Sequence, residues 1–516
     1  MSALSKSELH FLTAVANVAY ANPFLPERIS FEKAALGNDF KASGPVWSAS
    51  VEDPDATPPN VTAIYAKLGN AIETAHRKFA AAGDLHTEEL RAYEESVHYF
   101  LYQRYYRDFV DSSGRCTFYK RFLDDWSHFC RFPGKTFESA LNPAHVFACF
   151  RQIQRAFHHI YNNIIGNSMP AAKLRASVWQ SIFTLDMRRY RRTMYRRMSE
   201  FPALITGPSG TGKELIARAI AGSRYVPFEN DRMEFADPRS ETFLAMNVAA
   251  LPPALVESEL FGHKRGSFTG AVSDRKGWLE TCPALGSVFL DELGEMDLLI
   301  QAKLLRVLET RRFAAVGDTA VREFRGKLIA ATNRDLAQEI AAGRFREDLY
   351  YRLCADLIRT PSLADQIRDS PAVFHDLLQY MTRRTAGEEA IDCLPQIESW
   401  IRTNMPKDYA WPGNYRELEQ CVRNIVIRGS YRPAAHSSGA GEEEWIQRFR
   451  AGNITADELV ARFVAQVYSQ TGSYEETGRR VGLDRRTVKA KVDEWMRSFS
   501  VQRGTNSVHR RGATRG

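Results

Sequence analysis

Gly207-Pro208-Ser209-Gly210-Thr211-Gly212-Lys213-Glu214 is the stretch whose residue types and spacing point most directly to chemistry. Its glycines let the backbone curl until several N–H groups converge on one anion. A following helix adds the positive end of its dipole, and Lys213 adds a full charge for the outer phosphates. The spacing is that of a phosphate cradle, although Glu214 stands where Ser or Thr is usual. Further along, one apolar run ends in Asp291-Glu292 and another in Thr332-Asn333. Asp291 at a strand end suits Mg²⁺ held through oxygen. Glu292 beside it suits orienting or deprotonating a water, and Asn333 suits a hydrogen bond to that water or to a terminal phosphate. A nucleotide hydrolase needs this set of groups. Arg346 and Arg352, read in isolation, are surface ion-pairing arginines.

These groups need a scaffold, and the flanking patterns describe one. Ala203-Leu204-Ile205 before the glycine loop, Phe243–Met246, Ser287–Leu290 and Lys327–Ala331 are short apolar runs that alternate with helical patterns. That alternation predicts an α/β region with a parallel sheet over about 164–428. Polar residues at the carboxyl ends of its strands are where such sheets put ligands. Residues 1–163 are rich in aromatics and read as helical. The stripe Val146, Phe150, Ile153, Phe157, Ile160, Ile164 marks one helix, with Pro143 in its first turn and Gly166 past its end. Tyr99–Tyr102 and Tyr105-Tyr106 mark another amphipathic segment, and these aromatics are read as core. The Pro- and Gly-containing stretch 23–59 is expected to be irregular. The adjacent His158 and His159 cannot share one helix face, so they receive no metal role.

At 516 residues the chain is long for one domain, and 44% hydrophobic residues suffice for several cores. The seven cysteines are scattered without CxxC spacing, so reduced thiols and a cytoplasmic location are expected, with no zinc site. No apolar run is long enough to cross a membrane. Phe11 to Ala21 faintly resembles a signal segment, but Glu8 and His10 just before it favour an ordinary first helix. Of the formal charge of +7, residues 471–516 hold eleven Arg/Lys against five Asp/Glu, a net of +6. A polyanion is therefore to be sought at that end. Tyr474 to Val481, the turn Gly482-Leu483-Asp484 and Arg485 to Trp495 have helix-turn-helix spacing, with Asp484 as cap. Arg485, Arg486, Thr487, Lys489 and Lys491 are the candidate contacts to double-stranded DNA. A second cluster, Arg188, Arg189, Arg191, Arg192, Arg196 and Arg197, is read as a solvated helix face, with a contact surface as the alternative.

Several motifs together resemble one family. GPSGTGKE is similar to the phosphate loop of the AAA+ domain of sigma-54-dependent transcriptional activators, in which Glu after the Lys is usual. Gly266-Ser267-Phe268-Thr269-Gly270-Ala271 resembles that family's GAFTGA loop, with Ser267 for the first Ala. VFLDELGE resembles its Walker B segment, ATNRDL its sensor I, FREDLYYRL its arginine-finger segment and WPGNYREL, 411–418, its sensor II. The resemblance covers about 164–428. It implies an AAA+ P-loop α/β subdomain (164–360), a helical lid (361–430) and a C-terminal helix-turn-helix domain (445–500). Composition and patterning add a helical N-terminal domain in a regulatory position (1–163), a linker (431–444) and a basic disordered tail (501–516).

The same resemblance implies roles. Gly207, Ser209, Gly210, Thr211, Gly212, Lys213 and Glu214 would bind ATP, with Arg416 contacting nucleotide from the lid. Asp291 would handle Mg²⁺ and Glu292 would activate water, held off by Asn247 until needed. Arg346 and Arg352 would reach a neighbouring subunit's site, which implies a homo-oligomeric ring, a hexamer or similar. The loop 266–271 would press on sigma-54 in the RNA polymerase holoenzyme. Two departures stand out: a longer segment between Arg224 and Thr242, expected to be a surface insertion, and Thr360–Gln366 in place of the usual hinge. A DNA-bound repressor or scaffold that only binds ATP, or an AAA+ remodeller of another client, are the alternatives.

Overall fold

Five parallel strands carry the centre of the molecule in this computed structural model: β1 (Ala203–Thr206), β2 (Phe243–Asn247), β3 (Ser287–Asp291), β4 (Lys327–Thr332) and β5 (Leu357–Arg359), in the order β5-β1-β4-β3-β2. The structure describes residues 3–42, 58–82, 85–111, 115–132, 135–137, 142–236, 242–268, 270–433, 449–450 and 452–504. The four runs expected to be strands are strands, each extended by a residue at its polar end. β4 is buried throughout, as a central strand covered on both faces must be. Parallel pairing brings the carboxyl ends of all five strands to one edge. Asn247 lies opposite Asp291 in register, and Thr332 lies opposite Thr206.

The described residues from 6 to 183 are mostly helical, with one short antiparallel pair, Arg131–Phe132 with Lys135–Thr136. The stripe 146–164 lies on the helix Pro143–Asn163, with Pro143 in its first turn and Asn142 capping it. Of the stretch 23–59, residues 43–57 lie outside the described residues, and the part before them departs from expectation. A helix runs over Glu27–Leu36 and a 3-10 turn over Gly37–Asp39. Here Pro26 precedes the first helical residue and Gly37 (φ 58°) follows the last, so residues read as breakers serve as start and stop.

Residues Met1–Arg432 form one compact unit and Pro433–Gly516 another. Within the first, the helical region packs directly on the sheet. Ala156 and Ile160 of the long helix share a core with Ala203 and Ile205 of β1 and with Ile216 and Ile220 of the helix Lys213–Gly222. The segment after Arg224 is more than a surface insertion. It forms a hairpin, Phe228–Glu229 with Glu234–Phe235, whose Phe228 stacks on Tyr119 and Phe147 at 4.4 and 4.7 Å. Cys116 N donates to Met233 O at 2.8 Å, and Tyr119 Oη to Asn230 Oδ1 at 2.8 Å. The arginine cluster is likewise not all solvated. Arg188 forks Glu95 at 2.6 and 2.8 Å, and Arg191 meets the buried His98.

Four helices, Leu363–Asp369, Ala372–Ala386, Ala390–Asn404 and Asn414–Arg428, form the lid around Leu377, Ile397, Trp411, Leu418 and Val422. Tyr431, placed in the linker by composition, is buried in this core and donates to Glu417 at 3.2 Å. The rest of the expected linker, 434–444, lies outside the described residues.

In the second unit, Ala456–Thr471, Tyr474–Val481 and Arg485–Gly504 close on Val464, Val488 and Val492. The last helix runs past Trp495 and past residue 500, where a tail was expected, because no Gly or Pro interrupts it before Gly504. Residues 505–516 lie outside the described residues.

Candidate functional site

The glycine loop leaves β1 and enters the helix Lys213–Gly222 with Gly207, Gly210 and Gly212 at φ of 144°, 77° and 86°. These are left-handed values that other residues adopt at a cost, and they turn the loop amides toward a common centre. Lys213 Nζ donates to the carbonyls of Gly207 and Pro208 at 3.0 and 3.1 Å, so the ammonium hangs over the cradle on the loop's own oxygens. Burial lowers its pKa from the usual lysine value. Glu292 and Asp291 pull it back up, and Arg416 pushes it down. All four charges therefore act on one spot.

Asp291 ends β3, and its Oδ1 accepts from Glu292 N at 3.0 Å. Glu292 sits at φ 53°, ψ 44°. A non-glycine residue held left-handed stores about 1–3 kcal/mol and marks a position whose direction matters. The strained turn sends the glutamate off the strand axis while Leu293 behind it is fully buried. Asn247, opposite Asp291, accepts from Ala249 N at 2.9 Å through Oδ1, which leaves its amide N–H₂ for a neighbour. Among the described residues no hydrogen bond joins it to Glu292. Asn333 is exposed at the end of β4, next to Thr332, whose carbonyl accepts from Gly207 N at 3.4 Å.

The lid closes directly on the loop. Tyr415 N donates to Gly210 O at 3.1 Å, Asn414 Nδ2 to Ser209 O at 2.9 Å, and Arg416 Nη1 lies 3.5 Å from Ser209 Oγ. A Cβ on Gly210 would stand 2.2 Å from Gly413 O. Thr211 Oγ1 meets Thr360 Oγ1 at 2.7 Å and donates to Pro208 O at 2.8 Å, so the departing hinge is stitched to the loop. Glu214 pairs with Arg218 at 2.7 Å on the exposed side of its helix. Asn414 and Thr360 are site residues that sequence reasoning passed over. Each lies in a segment the sequence singles out, Thr360 in the departing hinge and Asn414 in WPGNYREL, but neither residue type announces its contact with the loop.

Arg346 and Arg352 do not join this site within their own chain. Arg346 forks Asp348 at 3.0 and 2.7 Å, and Arg352 donates to Leu308 O at 3.3 and 3.1 Å. Both are exposed on or beside the helix Glu347–Leu353. The loop 266–271 rises from a two-stranded stalk, Gly262–His263 with Arg275–Lys276. Gly266 N donates to Ala271 O at 2.8 Å, and Ala271 N to Phe268 O at 3.0 Å. Phe268 folds edge-on to His263 at 5.0 Å, and Gly270 (φ 102°) carries the return. Ser267 stands against Gly317, where a Cβ would come within 2.7 Å of its own, and its hydroxyl is buried without a partner among the described residues. Thr269 lies outside the described residues.

In the C-terminal unit Asp484 caps the last helix, accepting from Arg486 N and Thr487 N at 2.9 and 3.1 Å and from the Thr487 hydroxyl. Lys491 is held by Asp457 and Glu494 at 2.9 and 3.1 Å, and Arg485 reaches Glu475 at 3.4 Å. Arg486 and Lys489 are exposed, with no ion pair among the described residues.

A strand–glycine loop–helix with an acidic pair on the neighbouring strand end and a helical lid over the loop defines a P-loop domain of the AAA+ ATPase type. Comparison narrows this. Residues 184–359 match the sigma-54 interaction domain, so the chain carries a domain of that family, as its motifs suggested. The Nif-specific regulatory protein of Azotobacter vinelandii is 44% identical over 225 residues, 43% of this chain and 39% of that protein. Regulatory protein LuxO of Vibrio vulnificus is 41% identical over 230 residues, 44% and 46% of the two chains. The DNA-binding transcriptional regulator NtrC of Azospirillum brasilense is 40% identical over 228 residues, 44% and 43%. The chain thus spans less than half the length of these relatives. Among solved structures, NtrX from Brucella abortus in complex with ADP aligns over 73% of this chain and 80% of its own at 22% identity, with a TM-score of 0.39. No helix among the described residues is long and apolar enough to cross a membrane.

Proposed function

We propose that this chain is an ATP-driven activator of sigma-54 promoters, working in the cytoplasm as a homo-oligomeric ring, a hexamer or similar. The observation that carries this reading is the joint presence of two devices in one domain. One is a phosphate cradle facing the strained Asp291–Glu292 turn; the other is the Phe268 loop on its stalk. The first is what a nucleotide hydrolase needs, and the second has no use in hydrolysis itself.

In this reading the loop amides of 207–212 and Lys213 bind the ATP phosphates. Nucleotide oxygens replace the Gly207 and Pro208 carbonyls as partners of the Lys213 ammonium. Asp291 fits a magnesium ion, being an oxygen donor at the strand end beside the cradle. When bound, the ion neutralises phosphate charge. Glu292 accepts a proton from the attacking water. Asn247 holds Glu292 until nucleotide arrives, Asn333 orients the water, and Arg416 reports the phosphate state to the lid. Arg346 and Arg352, idle within their own chain, complete a neighbouring protomer's site. Release of Phe268 from His263 lets the loop 266–271 press on sigma-54 in the polymerase holoenzyme. Arg485, Arg486 and Lys489 hold double-stranded DNA, with Thr487 and Lys491 shaping the helix that presents them.

The test uses purified full-length protein, sigma-54 holoenzyme and a sigma-54 promoter fragment. Thr269→Ala is expected to keep ATP turnover and lose open-complex formation. Open complexes formed at the wild-type rate would sink the reading.

A further inference from the structure

A cavity of about 190 Å³ is lined from the helices Lys6–Tyr20, Glu27–Leu36, Pro59–Ala81, Thr87–Asp111, Pro143–Asn163, Met169–Phe183 and Met187–Arg192. A cavity of about 150 Å³ holds a benzene ring, so this one has room for a ring and a substituent. Its walls are largely aromatic. Trp179 stacks with Phe157 and Phe183 at 5.0 and 4.5 Å, and Tyr102 with Phe150 at 5.7 Å.

Most polar groups on these walls are partnered, Arg28 by Glu32 and Tyr190 by Gln152 among them, but two donors stand out. The Tyr102 hydroxyl and the Trp179 indole N–H have no partner among the described residues, although the side chains are only 8% and 3% exposed. Burial holds the Tyr102 phenol well above its ordinary pKa, so at neutral pH it keeps its proton. A buried donor without an acceptor costs about 1–3 kcal/mol, so two among the residues of one cavity call for an explanation. Arg191 adds a cation. Its guanidinium touches the His98 ring at 3.1 Å and lies 5.7 Å from the Tyr20 ring centroid. Burial and Arg191 itself hold His98 well below its ordinary pKa, hence neutral. No carboxylate among the described residues lies within ion-pair distance of Arg191. Glu95, the carboxylate nearby, is forked by Arg188 at 2.6 and 2.8 Å. Glu94 and Glu95 act on Arg191 through space, but no carboxylate among the described residues touches the guanidinium itself.

We propose that this cavity is a binding site for a small aromatic carboxylic acid. The ring lies among Phe150, Phe157 and Trp179, the carboxylate pairs with Arg191, and the Tyr102 hydroxyl and Trp179 indole donate to its acceptors. The ligand would also touch the engine. Trp179, Phe183, Met187 and Tyr190 line the cavity and belong to the same core as β1 and the helix Lys213–Gly222. Occupancy thus packs against the floor of the phosphate loop. The binding claim stands independently of what the ATPase acts on.

Calorimetric titration of the full-length protein with benzoate and indole-3-carboxylate, against benzamide and toluene, tests it. One equivalent of an acid is expected to bind, with benzamide about ten-fold weaker or worse, as loss of one charged hydrogen bond implies. Arg191→Gln and Tyr102→Phe should each weaken the acid about ten-fold or more. Because Arg191→Gln perturbs the fold around His98, a second readout is needed. Saturable quenching of tryptophan emission by 4-iodobenzoate should be seen in the wild type and largely lost in Trp179→Phe. Absence of saturable binding by either acid, equal binding of benzamide and toluene, or binding that survives both Arg191→Gln and Tyr102→Phe would each overturn the proposal.

Discussion

Glu292 is a carboxylate held in a conformation that most residues avoid, between a buried leucine and the strand-end aspartate. That strain makes sense if direction is what the position supplies. In the proposed role of Glu292, Glu292→Gln keeps the shape and removes the base. Turnover is expected to fall at least about 100-fold, the usual worth of a positioned base, with nucleotide affinity nearly unchanged. Phosphate release and nucleotide titration check the two halves. Gly210 makes the opposite point, since its identity is fixed by space. At φ 77° with Gly413 O only 2.2 Å from a would-be Cβ, Gly210→Ala must push the lid off the loop. Nucleotide affinity should fall about ten-fold or more, because the loop and the Arg416-bearing helix no longer share one geometry. The groups bearing chemistry were legible in the sequence because a glycine loop, a strand-end acid pair and a polar strand end are local patterns. Asn414 was not: its bond to Ser209 spans 205 positions. Nor was Arg191 legible, since a run of arginines has the same composition whether it faces water or a cavity.

Elements were readable where period and length agreed and misread where composition stood in for geometry. The 146–164 stripe names its helix because apolar residues three and four apart have no other way to share a face. The 228–235 hairpin is too short to show a period, and its meaning lies in what Phe228 touches. Phe228→Ala removes a ring that is 8% exposed and packed on Tyr119 and Phe147. A loss of about 3–4 kcal/mol at this contact is expected. It would be seen as a lower melting temperature and faster proteolytic release of the N-terminal helices, and wild-type protease resistance would count against this docking role. β4 offers a pH test. Lys327 is buried at its start, donating to Met198 O and Phe201 O at 3.2 and 3.1 Å, and burial lowers its pKa from 10.5 to about 8. The unfolded chain therefore binds the proton more tightly than the folded one. The penalty is full below pH 8 and fades as pH rises toward 10.5. Relative to Lys327→Met, the wild type should gain melting temperature between those limits, and an unchanged gap would show that Lys327 is not so perturbed.

Assembly is the question that belongs to the whole molecule, and the two idle arginines pose it. Each site in one chain holds a cradle, an acid pair and a lid arginine, yet nothing within that chain brings Arg346 or Arg352 to it. Arg346 rests on Asp348 and Arg352 on a helix-end carbonyl, both exposed and both cheap to release. If a neighbour's arginine completes the site, two dead proteins can make a live one. Glu292→Gln spoils the site of its own chain and leaves its arginines sound, whereas Arg346→Ala leaves its own Glu292 sound and spoils the neighbour's site. In a ring assembled at random from equal amounts, roughly a quarter of the interfaces would pair an intact Glu292 with an intact Arg346. Mixing should therefore restore up to about a quarter of wild-type ATP turnover, with a maximum near equal proportions. Arginines acting within their own chain would leave every mixture as inactive as its parents, since no subunit would then hold both groups.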